Sequence, residues 1–384
     1  METLPIIREF WIQRIFSCWK RRSIIWLSGV RRAGKTSLCQ SIKGAEYFDC
    51  ELPRIRYMME DPEMFLKGVN GKTLILDEIH RLPNPSELLK IAADHFHSTK
   101  IIATGSSTLG TSNKFQDTLA GRKERIWLTP MLFHESGEFG NTKLEHRFLY
   151  GGLPPFFLSD EFPEYGFQEW IDSYWAKDIQ ELFKLEKRHS FQKLVELLLV
   201  QSGGLFEATK FTAPCEVSRN TIMNYLAVLE ATHVAHVIRP FNTHRPSEIV
   251  SAPKVYGFDT GFVCYYRGWF QLRPEDCGIL WEHVVLNELQ GQLHRAEIRY
   301  WRDKRDHEVD FIISTKRQID PITIECKWKM ANFDPANLKA FRHIYPKGEN
   351  FVVAPDVTES FTREYFGISV KFVNLAQLLE SLQI

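Results

Sequence analysis

The stretch SIIWLSGVRRAGKTSLCQSIKG, residues 23–44, decides the fold of the first part of this chain. It starts with the apolar run IIWL (24–27), which predicts a buried strand, and continues into the glycine-rich run GVRRAGKT (29–36). A glycine-rich loop between a strand and a helix can surround phosphate groups with backbone N–H donors. The stretch therefore predicts a parallel α/β domain with a phosphate-binding loop. The alternative is a glycine turn that carries Lys and Thr by coincidence.

The loop predicts a nucleotide site with a defined role for its polar residues. Lys35 is expected to reach the β- and γ-phosphate oxygens of ATP, and the Thr36 hydroxyl is expected to bind Mg²⁺. The residues of this run that are expected to contact the nucleotide are Gly29, Arg31, Arg32, Ala33, Gly34, Lys35, Thr36 and Ser37.

A second run, GKTLILDEIHRLPN (71–84), supplies carboxylates for such a site. Its apolar segment 73–76 predicts another strand of the parallel sheet, so Asp77 and Glu78 lie at the carboxyl edge. Asp77 is expected to hold the Mg²⁺ shell through water, and Glu78 to orient or deprotonate the attacking water. This pair favours hydrolysis over binding alone. The alternative is a strand that ends in a solvated acidic pair.

Two further polar residues follow in the same domain. Ser106, in STKIIATGSS (98–107), is a candidate sensor of the γ-phosphate, although a plain Gly-Ser-Ser turn has the same sequence. Arg122, in TLAGRKERIWLTP (118–130), is a candidate arginine finger or sensor, and a solvated arginine is the alternative.

The bulk composition limits the classes of function. A chain of 384 residues exceeds the usual size of one hydrophobic core, so two or three domains are expected. Lys plus Arg equals Asp plus Glu, at 48 each, so any contact with nucleic acid must come from a local patch. The seven cysteines form no CxxC pair, which argues against a disulfide framework or a zinc knuckle. No apolar run approaches the ~20 residues of a membrane span, so a soluble cytoplasmic protein is expected.

The middle of the chain has the pattern of a winged helix. After a Gly-, Pro- and aromatic-rich run (151–166), which indicates a linker, apolar residues recur at helical spacing up to a Gly-Gly stop at 203–204. Ser218 is expected to cap a helix over 219–230, and the β-branched run 233–241 predicts the wing strands.

This helix is a candidate DNA-recognition helix. Its outer face would present Arg219, Asn220 and Asn224 to a DNA groove. Basic residues are sparse here, so a winged helix that serves as an interdomain or oligomer bracket is the alternative.

The last part of the chain contains a candidate metal site. Its predicted order of helix, three strands, helix and strand is that of the PD-(D/E)xK nuclease core. In TIECKWK (323–329), strand alternation places Glu325 and Lys327 on one face, and Asp310 interrupts the apolar run of the preceding strand. Asp310 and Glu325 are expected to share one or two Mg²⁺ ions, Lys327 to position or deprotonate water, and Glu282 to complete the metal shell. A cross-strand ion pair on an inactive sheet is the alternative.

The motifs GVRRAGKTS, ILDEIH, ATGSS, LAGR and YGGLP (150–154) resemble those of a prokaryotic AAA-type ATPase family. The resemblance runs from about Trp19 to the C-terminus, with one departure at His80, where a Gln-like residue is expected. Members carry a C-terminal domain formerly of unknown function. The resemblance implies a winged-helix middle domain and a restriction-endonuclease-like C-terminal domain, whose motif is matched by Glu282, Asp310, Glu325 and Lys327.

Together these patterns predict an α/β protein with three domains: a P-loop NTPase domain with a parallel sheet (1–150), a winged-helix domain (151–250) and a restriction-endonuclease-like α/β domain (251–384). The expected function is ATP hydrolysis that controls a Mg²⁺-dependent nuclease-like domain on double-stranded DNA, and a homo-oligomer is a candidate assembly. The main alternative is a nucleotide-dependent switch that binds DNA or protein and has an inactive C-terminal scaffold. A regulatory role in defence or a toxin–antitoxin system is the third.

Overall fold

In the part of the chain that the computed structural model describes, the strands form three sheets. The described residues are 6–105, 113–180, 183, 185, 187–242, 252–293, 297–315 and 318–382. Within these ranges, no helix is long and apolar enough to cross a membrane. The main buried apolar cluster runs through all three parts of the chain, from Trp11 to Leu382.

The first sheet is the parallel sheet that the glycine-rich loop predicts. Its strands are β1 (Ile24–Ser28), β2 (Ala45–Asp49), β3 (Thr73–Asp77), β4 (Lys100–Thr104) and β5 (Lys123–Trp127). They lie parallel in the order β2-β3-β4-β1-β5, so the three apolar strands are central. The sequence did not predict β2, because its residues AEYFD are of mixed polarity and lie half-exposed at the sheet edge.

Helices cover this sheet on both faces, as expected for parallel strands. They are Glu9–Trp19, Lys35–Gln40, Pro53–Met58, Pro62–Gly68, Pro85–His95, Asn113–Thr118 and Leu144–Tyr150, with 3-10 turns at Ile79–Arg81 and Phe133–Gly137.

The middle part is helical and contains a small antiparallel sheet. Its strands β6 (Gly204–Leu205), β7 (Ala235–Ile238) and β8 (Lys254–Gly257) lie in the order β6-β8-β7. The helices are Pro154–Phe157, Glu164–Tyr174, Arg188–Val200, Ala208–Cys215, Arg219–Ala231 and Thr260–Arg267. A π-helical turn, Trp175–Gln180, continues Glu164–Tyr174, and together they form the segment 164–180. The predicted helix after Ser218 is confirmed, because the Ser218 hydroxyl accepts a hydrogen bond from the Thr221 N–H.

Two predictions for the middle part are wrong. The run 233–241 contains one strand, β7, in place of the predicted pair, and the hairpin partner of β7 is β8, which lies beyond residue 250. Residues 151–166 are not a linker, because they include the helix Pro154–Phe157. Phe156 and Phe157 are only 3% and 2% exposed, since both rings pack into the apolar core.

The C-terminal part contains a six-stranded sheet. Its strands are β9 (Glu297–Arg302), β10 (Glu308–Thr315), β11 (Gln318–Cys326), β12 (Asn350–Val353), β13 (Phe361–Tyr365) and β14 (Ile368–Val373), in the order β13-β14-β12-β11-β10-β9. The helices are Cys277–Gln292, Pro335–Ile344 and Leu375–Leu382, with a 3-10 turn at Met330–Asn332. The predicted order of helix, three strands, helix and strand is confirmed. The hairpin β13–β14 was not predicted, because only the two end residues of β13, Phe361 and Tyr365, are half-buried and the three between them are exposed.

The helix Cys277–Gln292 joins the C-terminal part to the first part. The Asn287 side chain donates to the carbonyl groups of Pro130 and Met131, at 3.2 and 3.3 Å. Glu288 accepts a hydrogen bond from the Phe133 N–H at 2.9 Å. The helix is therefore buried on almost all sides, which explains why it lacks a clear polar face.

Candidate functional site

The carboxyl edge of the first sheet brings the glycine-rich loop next to the end of β3. Gly29 follows β1, and a Cβ atom there would lie 2.4 Å from the Leu128 carbonyl oxygen, so a larger residue does not fit. Gly34 has a φ of 91°, a left-handed conformation that favours glycine. Both glycines line a cavity of about 560 Å³.

The Lys35 ammonium group lies across the loop. Its Nζ donates to the Gly29 carbonyl at 2.8 Å and to the Val30 carbonyl at 3.2 Å. Burial lowers the pKa of Lys35, and the nearby carboxylates of Glu78 and Asp178 oppose this effect. Phosphate oxygens are stronger acceptors than carbonyl oxygens, so this lysine is placed to exchange its partners for a nucleotide.

Asp77 accepts hydrogen bonds from three hydroxyl groups. Its Oδ2 accepts from Thr36 at 2.9 Å and from Tyr47, and its Oδ1 accepts from Thr104. A hydroxyl and a carboxylate in contact are hard oxygen ligands of the kind that Mg²⁺ takes beside phosphates and water. Thr36 and Asp77 therefore fit a Mg²⁺ ion that a nucleotide would bring.

Glu78 has a backbone conformation that is uncommon for a residue other than glycine. Its φ is 52°, and its N–H donates to Thr104 Oγ1 at 3.1 Å. Burial acts to raise the pKa of Glu78, but His80, 3.1 Å away, and Lys35 outweigh burial and hold that pKa below its ordinary value. Glu78 is therefore an ionised carboxylate on the wall of the cavity, as a group that accepts a proton from water must be.

The cavity is closed on one side by the middle part of the chain. The lining residues from that part are Pro154, Pro155, Tyr174, Lys177, Asp178 and Thr232. Sequence reasoning assigned none of the six to the nucleotide site. Pro154 ends the YGGLP run and the other five belong to no motif, and their approach depends on how the helices pack.

Two of the residues predicted to contact the nucleotide, Ala33 and Arg122, are not among the described residues that line the cavity. Ala33 has a buried side chain, and its carbonyl accepts a hydrogen bond from Arg8 Nη1 at 3.0 Å. Arg122 is not brought to the cavity, because its Nε and Nη2 donate to Asp94 at 2.7 and 3.1 Å. A contact of Arg122 with the nucleotide of its own chain is thus not supported. Ser106 lies outside the described residues.

Arg8 supports the loop from a position that the sequence does not indicate. Its Nε and Nη2 donate to the two carboxylate oxygens of Glu135 at 2.8 and 2.6 Å, and both side chains are buried. This bidentate pair fixes the guanidinium that holds the Ala33 carbonyl. The two residues lie 127 positions apart, so spacing gives no signal of the contact.

A second cluster of charged residues lies on the C-terminal sheet. Asp310 stands at a bulge, because the pairing of β10 with β9 shifts between Val309 and Ile312. Asp310 Oδ2 accepts from the Cys326 N–H at 2.8 Å and lies 3.6 Å from Lys327 Nζ.

The other predicted residues surround Asp310. Lys327 Nζ donates to Glu325 Oε2 at 2.7 Å, and the Glu282 carboxyl group lies near enough to Asp310 to share a hydrogen bond when one of the two is protonated. The structure therefore brings all four predicted residues together, with Glu325 only 1% exposed.

Burial dominates the electrostatics of this cluster. It raises the pKa of Glu282 and of Glu325, and the charge of Asp310 adds to the effect on both. Burial also acts to raise the pKa of Asp310, but Lys327 and Lys254 outweigh it and hold that pKa below its ordinary value. Negative charge is therefore concentrated on Asp310, and its two neighbours keep protons to a higher pH than usual.

Two residues of β8 cover the cluster. The Tyr256 hydroxyl donates to Glu282 Oε2 at 3.0 Å, and Lys254 Nζ lies 2.5 Å from Glu308 Oε1. Both side chains are buried. The middle part thus contributes a cation and a hydroxyl group to a C-terminal cluster, which sequence reasoning missed because it placed this strand in no motif.

The carboxylate oxygens of this cluster are suitable ligands for a divalent cation, but in the described part of the chain they are not arranged around a common metal position. Glu325 Oε1 is a buried oxygen with no hydrogen-bond partner in the described ranges, and carboxylate oxygens are preferred ligands of Mg²⁺. However, among the described residues no group of three or more His, Cys, Asp or Glu side chains is arranged to hold a metal ion. Lys327 and Lys254 balance the carboxylates in this conformation, so a metal at Asp310 and Glu325 stays a prediction.

Comparison with known protein families gives a match for the segment that contains the loop, the Thr36–Asp77 contact and Glu78. Residues 21–137 match the model of an AAA domain. The AAA match contains every predicted nucleotide residue from Gly29 to Arg122, whereas Arg8 and Asp178 lie outside it. Residues 141–273 match a domain of unknown function (DUF8612), and residues 277–376 match a second one (DUF4143). The carboxylate cluster lies in the last match, and its cover, Lys254 and Tyr256, lies in the DUF8612 match.

Relatives of known sequence extend over most of the chain. An uncharacterized protein of Mycobacterium tuberculosis is 26% identical over 303 residues, which cover 76% of this chain and 68% of the relative. An uncharacterized protein of Haemophilus influenzae is 23% identical over 380 residues, which cover 90% of this chain and 93% of the relative.

Solved structures give more distant matches. A signal transduction ATPase with numerous domains from Pyrococcus horikoshii matches with a TM-score of 0.28 and 12% identity, over 72% of this chain and 44% of that chain. Cdc6p from Pyrobaculum aerophilum matches with a TM-score of 0.27 and 11% identity, over 74% of this chain and 96% of that chain. Both TM-scores are below 0.5, so neither likeness supports a conclusion about this chain.

Proposed function

We propose that the chain binds and hydrolyses ATP in the AAA domain and uses the nucleotide state to control the two parts that follow. The observation that carries this proposal is the cavity in which Lys35, the Thr36–Asp77 contact and Glu78 meet. Each group has the chemistry that phosphate binding or water activation needs. The closure of the same cavity by the middle part supports a link between nucleotide and domain arrangement.

In the proposed reaction each residue has one task. Lys35 holds the β- and γ-phosphate oxygens, and Thr36 and Asp77 hold the Mg²⁺ ion, which stabilises negative charge on the phosphates when bound. Glu78 orients the attacking water and accepts its proton. His80, beside Glu78, keeps that carboxylate ionised.

Replacing Lys35 by Ala tests the nucleotide site directly. We expect ATP hydrolysis by purified protein to fall at least ~100-fold, because the ammonium that stabilises the phosphates is lost. Phosphate release gives the rate, and Lys67→Ala, at an exposed lysine paired with Glu63, is the control. Hydrolysis that is unchanged in Lys35→Ala would refute the ATPase proposal.

For the middle part we propose a winged helix that faces DNA. The support is the order of its elements, with three helices and the strands β6, β7 and β8 in the sheet order β6-β8-β7. Arg219, Asn220 and Asn224 are exposed on the helix Arg219–Ala231, where a DNA groove could reach them. Because β8 pairs with β7 and the DUF8612 match ends at residue 273, we place the end of this domain near that residue rather than at 250.

For the C-terminal part we propose a restriction-endonuclease-like domain. The support is the strand order together with the convergence of Glu282, Asp310, Glu325 and Lys327. We further propose that the protein is cytoplasmic and acts on double-stranded DNA. If Arg122 serves a nucleotide site, we propose that it does so in a homo-oligomer, at the site of another copy of the chain.

One observation favours the alternative function, a nucleotide-dependent switch with an inactive C-terminal scaffold. Lys254 and Lys327 neutralise the carboxylates, and Tyr256 covers Glu282, so the cluster is stable as a buried polar core. In this alternative the C-terminal sheet supports the helix Cys277–Gln292, and ATP changes only what the winged helix binds.

A cleavage assay separates the two functions. We expect Asp310→Ala to abolish any Mn²⁺- or Mg²⁺-dependent cleavage of double-stranded DNA, because the most acidic carboxyl of the cluster is lost. Glu364→Ala, at an exposed residue of β13, is the control. Cleavage that survives Asp310→Ala would refute the nuclease proposal. If no cleavage occurs with or without ATP, and DNA stimulates a hydrolysis that Lys35→Ala abolishes, the switch is favoured.

A further inference from the structure

The two arginines of the phosphate loop are tied to the middle part of the chain. Arg32 Nη2 donates to Glu169 Oε1 at 2.6 Å, and Arg31 Nη1 lies 3.6 Å from Asp178 Oδ2. Both acids belong to the segment 164–180, which lies outside the AAA match. The loop that is expected to bind phosphate therefore has carboxylates as the partners of its cations.

The contact between Arg31 and Asp178 is incomplete. Arg31 Nε and Asp178 Oδ2 are buried atoms that have no hydrogen-bond partner among the described residues. Both residues line the nucleotide cavity, and Asp178 is within electrostatic reach of Lys35. A guanidinium with an unused donor next to a phosphate-binding lysine would gain a bidentate contact from a phosphate group.

Asp178, in contrast, would be repelled by a bound nucleotide. A nucleoside triphosphate with its metal is still negatively charged, and a carboxylate in the same half-buried cavity raises the free energy of the complex. Asp178 lies in the π-helical turn Trp175–Gln180, a type of irregularity that is frequent at functional sites.

We propose that Arg31 and Arg32 exchange these carboxylates for nucleotide phosphate, and that the exchange releases the segment 164–180 from the loop. The proposal rests on the proposed nucleotide site and adds the means by which the middle part detects its occupancy. Asp178 and Glu169 occupy the positions on the arginines that phosphate would take, and nucleotide binding moves them away from the arginines.

The released segment is connected to the candidate DNA-recognition helix. Trp170 Nε1 donates to the Arg31 carbonyl at 3.1 Å, and the Trp170 ring stacks on Tyr174, with centroids 5.2 Å apart. The Tyr174 hydroxyl lies 2.6 Å from Thr232 Oγ1, at the end of the helix Arg219–Ala231. Loss of the arginine contacts therefore changes the support of that helix.

The first test is the affinity for AMP-PNP, a non-hydrolysable ATP analogue, measured by calorimetric titration with Mg²⁺. We expect Asp178→Asn to lower Kd about fivefold, because a repulsive charge and a competing partner of Arg31 are removed. Asp172→Asn is the matched control, since Asp172 lies on the same segment and pairs with Arg188 at 2.6 Å outside the cavity. A merely structural role of Asp178 would raise Kd, and an unchanged or raised Kd overturns the proposal.

The second test is hydrogen exchange of residues 164–180. AMP-PNP is expected to increase exchange there in the wild-type protein, and Asp178→Asn to show part of that increase without nucleotide. An exchange pattern that does not respond to AMP-PNP in a wild-type protein that binds it overturns the proposal. If the wild-type protein does not bind AMP-PNP at all, the proposed nucleotide site itself fails, which is a distinguishable result.

Discussion

Replacing Glu78 by Gln is expected to lower kcat for ATP hydrolysis by about 10²–10⁴-fold while ATP still binds, because the group that accepts the proton of the attacking water is lost. The substitution of Glu by Gln hardly changes the shape of the side chain. Glutamine has the shape to keep the backbone hydrogen bond from residue 78 to Thr104 and the neighbourhood of His80, so the cavity should stay intact. Phosphate release at saturating ATP measures kcat, and titration with AMP-PNP measures affinity.

The control for this variant is Glu46→Gln. Glu46 is a carboxylate of similar exposure, 42% against 38% for Glu78, but it lies on β2 and pairs with Lys72 at 2.6 Å. Hydrolysis in Glu46→Gln should equal that of the wild-type protein. A Glu78→Gln variant that hydrolyses ATP at more than a tenth of the wild-type rate would show that another group activates the water, and Asp178 would then be the first residue to examine.

The residues of the candidate nucleotide site could be grouped from the sequence because their chemistry is local in sequence. The glycines, Lys35 and Thr36 occupy one loop, and the apolar run before Asp77 and Glu78 marks the end of a central strand. A parallel sheet gathers such strand ends at one edge, so two motifs were enough to place the residues together. The prediction for Arg122 could not be made in this way. Its guanidinium pairs with Asp94, which belongs to no motif, and so lies away from the cavity.

The carboxylate cluster could be predicted only as far as the sheet order defines it. Asp310 and Glu325 lie on paired strands, so their approach follows from the pattern of strands. Lys254 and Tyr256 come from another sheet, and Arg8, Glu169 and Asp178 approach the loop across helix contacts. Such contacts depend on how helices pack, which a single sequence does not reveal. The sequence therefore indicates the central residues of the two sites but not the residues that cover them.

The units are coupled by a shared core. The apolar cluster that starts at Trp11 includes residues of all three parts, and the helix Cys277–Gln292 is buried between them. In the proposed function, a displacement of the middle part by nucleotide would be transmitted to β8 and to the Tyr256 hydroxyl on Glu282. This contact is the route that we propose for an effect of ATP on the carboxylate cluster.

Gly151, in the YGGLP run, occupies a position in the structure where a larger residue does not fit. Gly151 has a φ of 77°, and a Cβ atom there would lie 1.9 Å from Asp259 Oδ1. Asp259 has little freedom to move away, because its carboxylate accepts from the N–H groups of Gly152 at 2.6 Å and Gly261 at 2.9 Å. Burial raises the pKa of Asp259, and Arg147 nearby opposes the shift. The contact joins the residue that follows the helix Leu144–Tyr150 to the helix Thr260–Arg267.

Replacing Gly151 by Ala is therefore expected to lower the free energy of unfolding by about 4 kcal/mol, through the strain of a backbone conformation that is nearly exclusive to glycine (φ 77°, ψ −164°), overpacking and the displaced hydrogen bonds of Asp259. The melting temperature, measured by circular dichroism, should fall by roughly 5 °C, because the unfolding entropy of a chain of 384 residues is large. Gly44→Ala is the control for a glycine of positive φ without a clash, because Gly44 also has a φ of 77° but open space around its Cβ position, so it should cost only about 1 kcal/mol. If the clash with Asp259 is the cause, Gly151→Ala combined with Asp259→Ala should be more stable than the sum of the two single effects predicts. Strict additivity, or equal losses in Gly151→Ala and Gly44→Ala, would show that backbone strain alone accounts for the requirement for glycine.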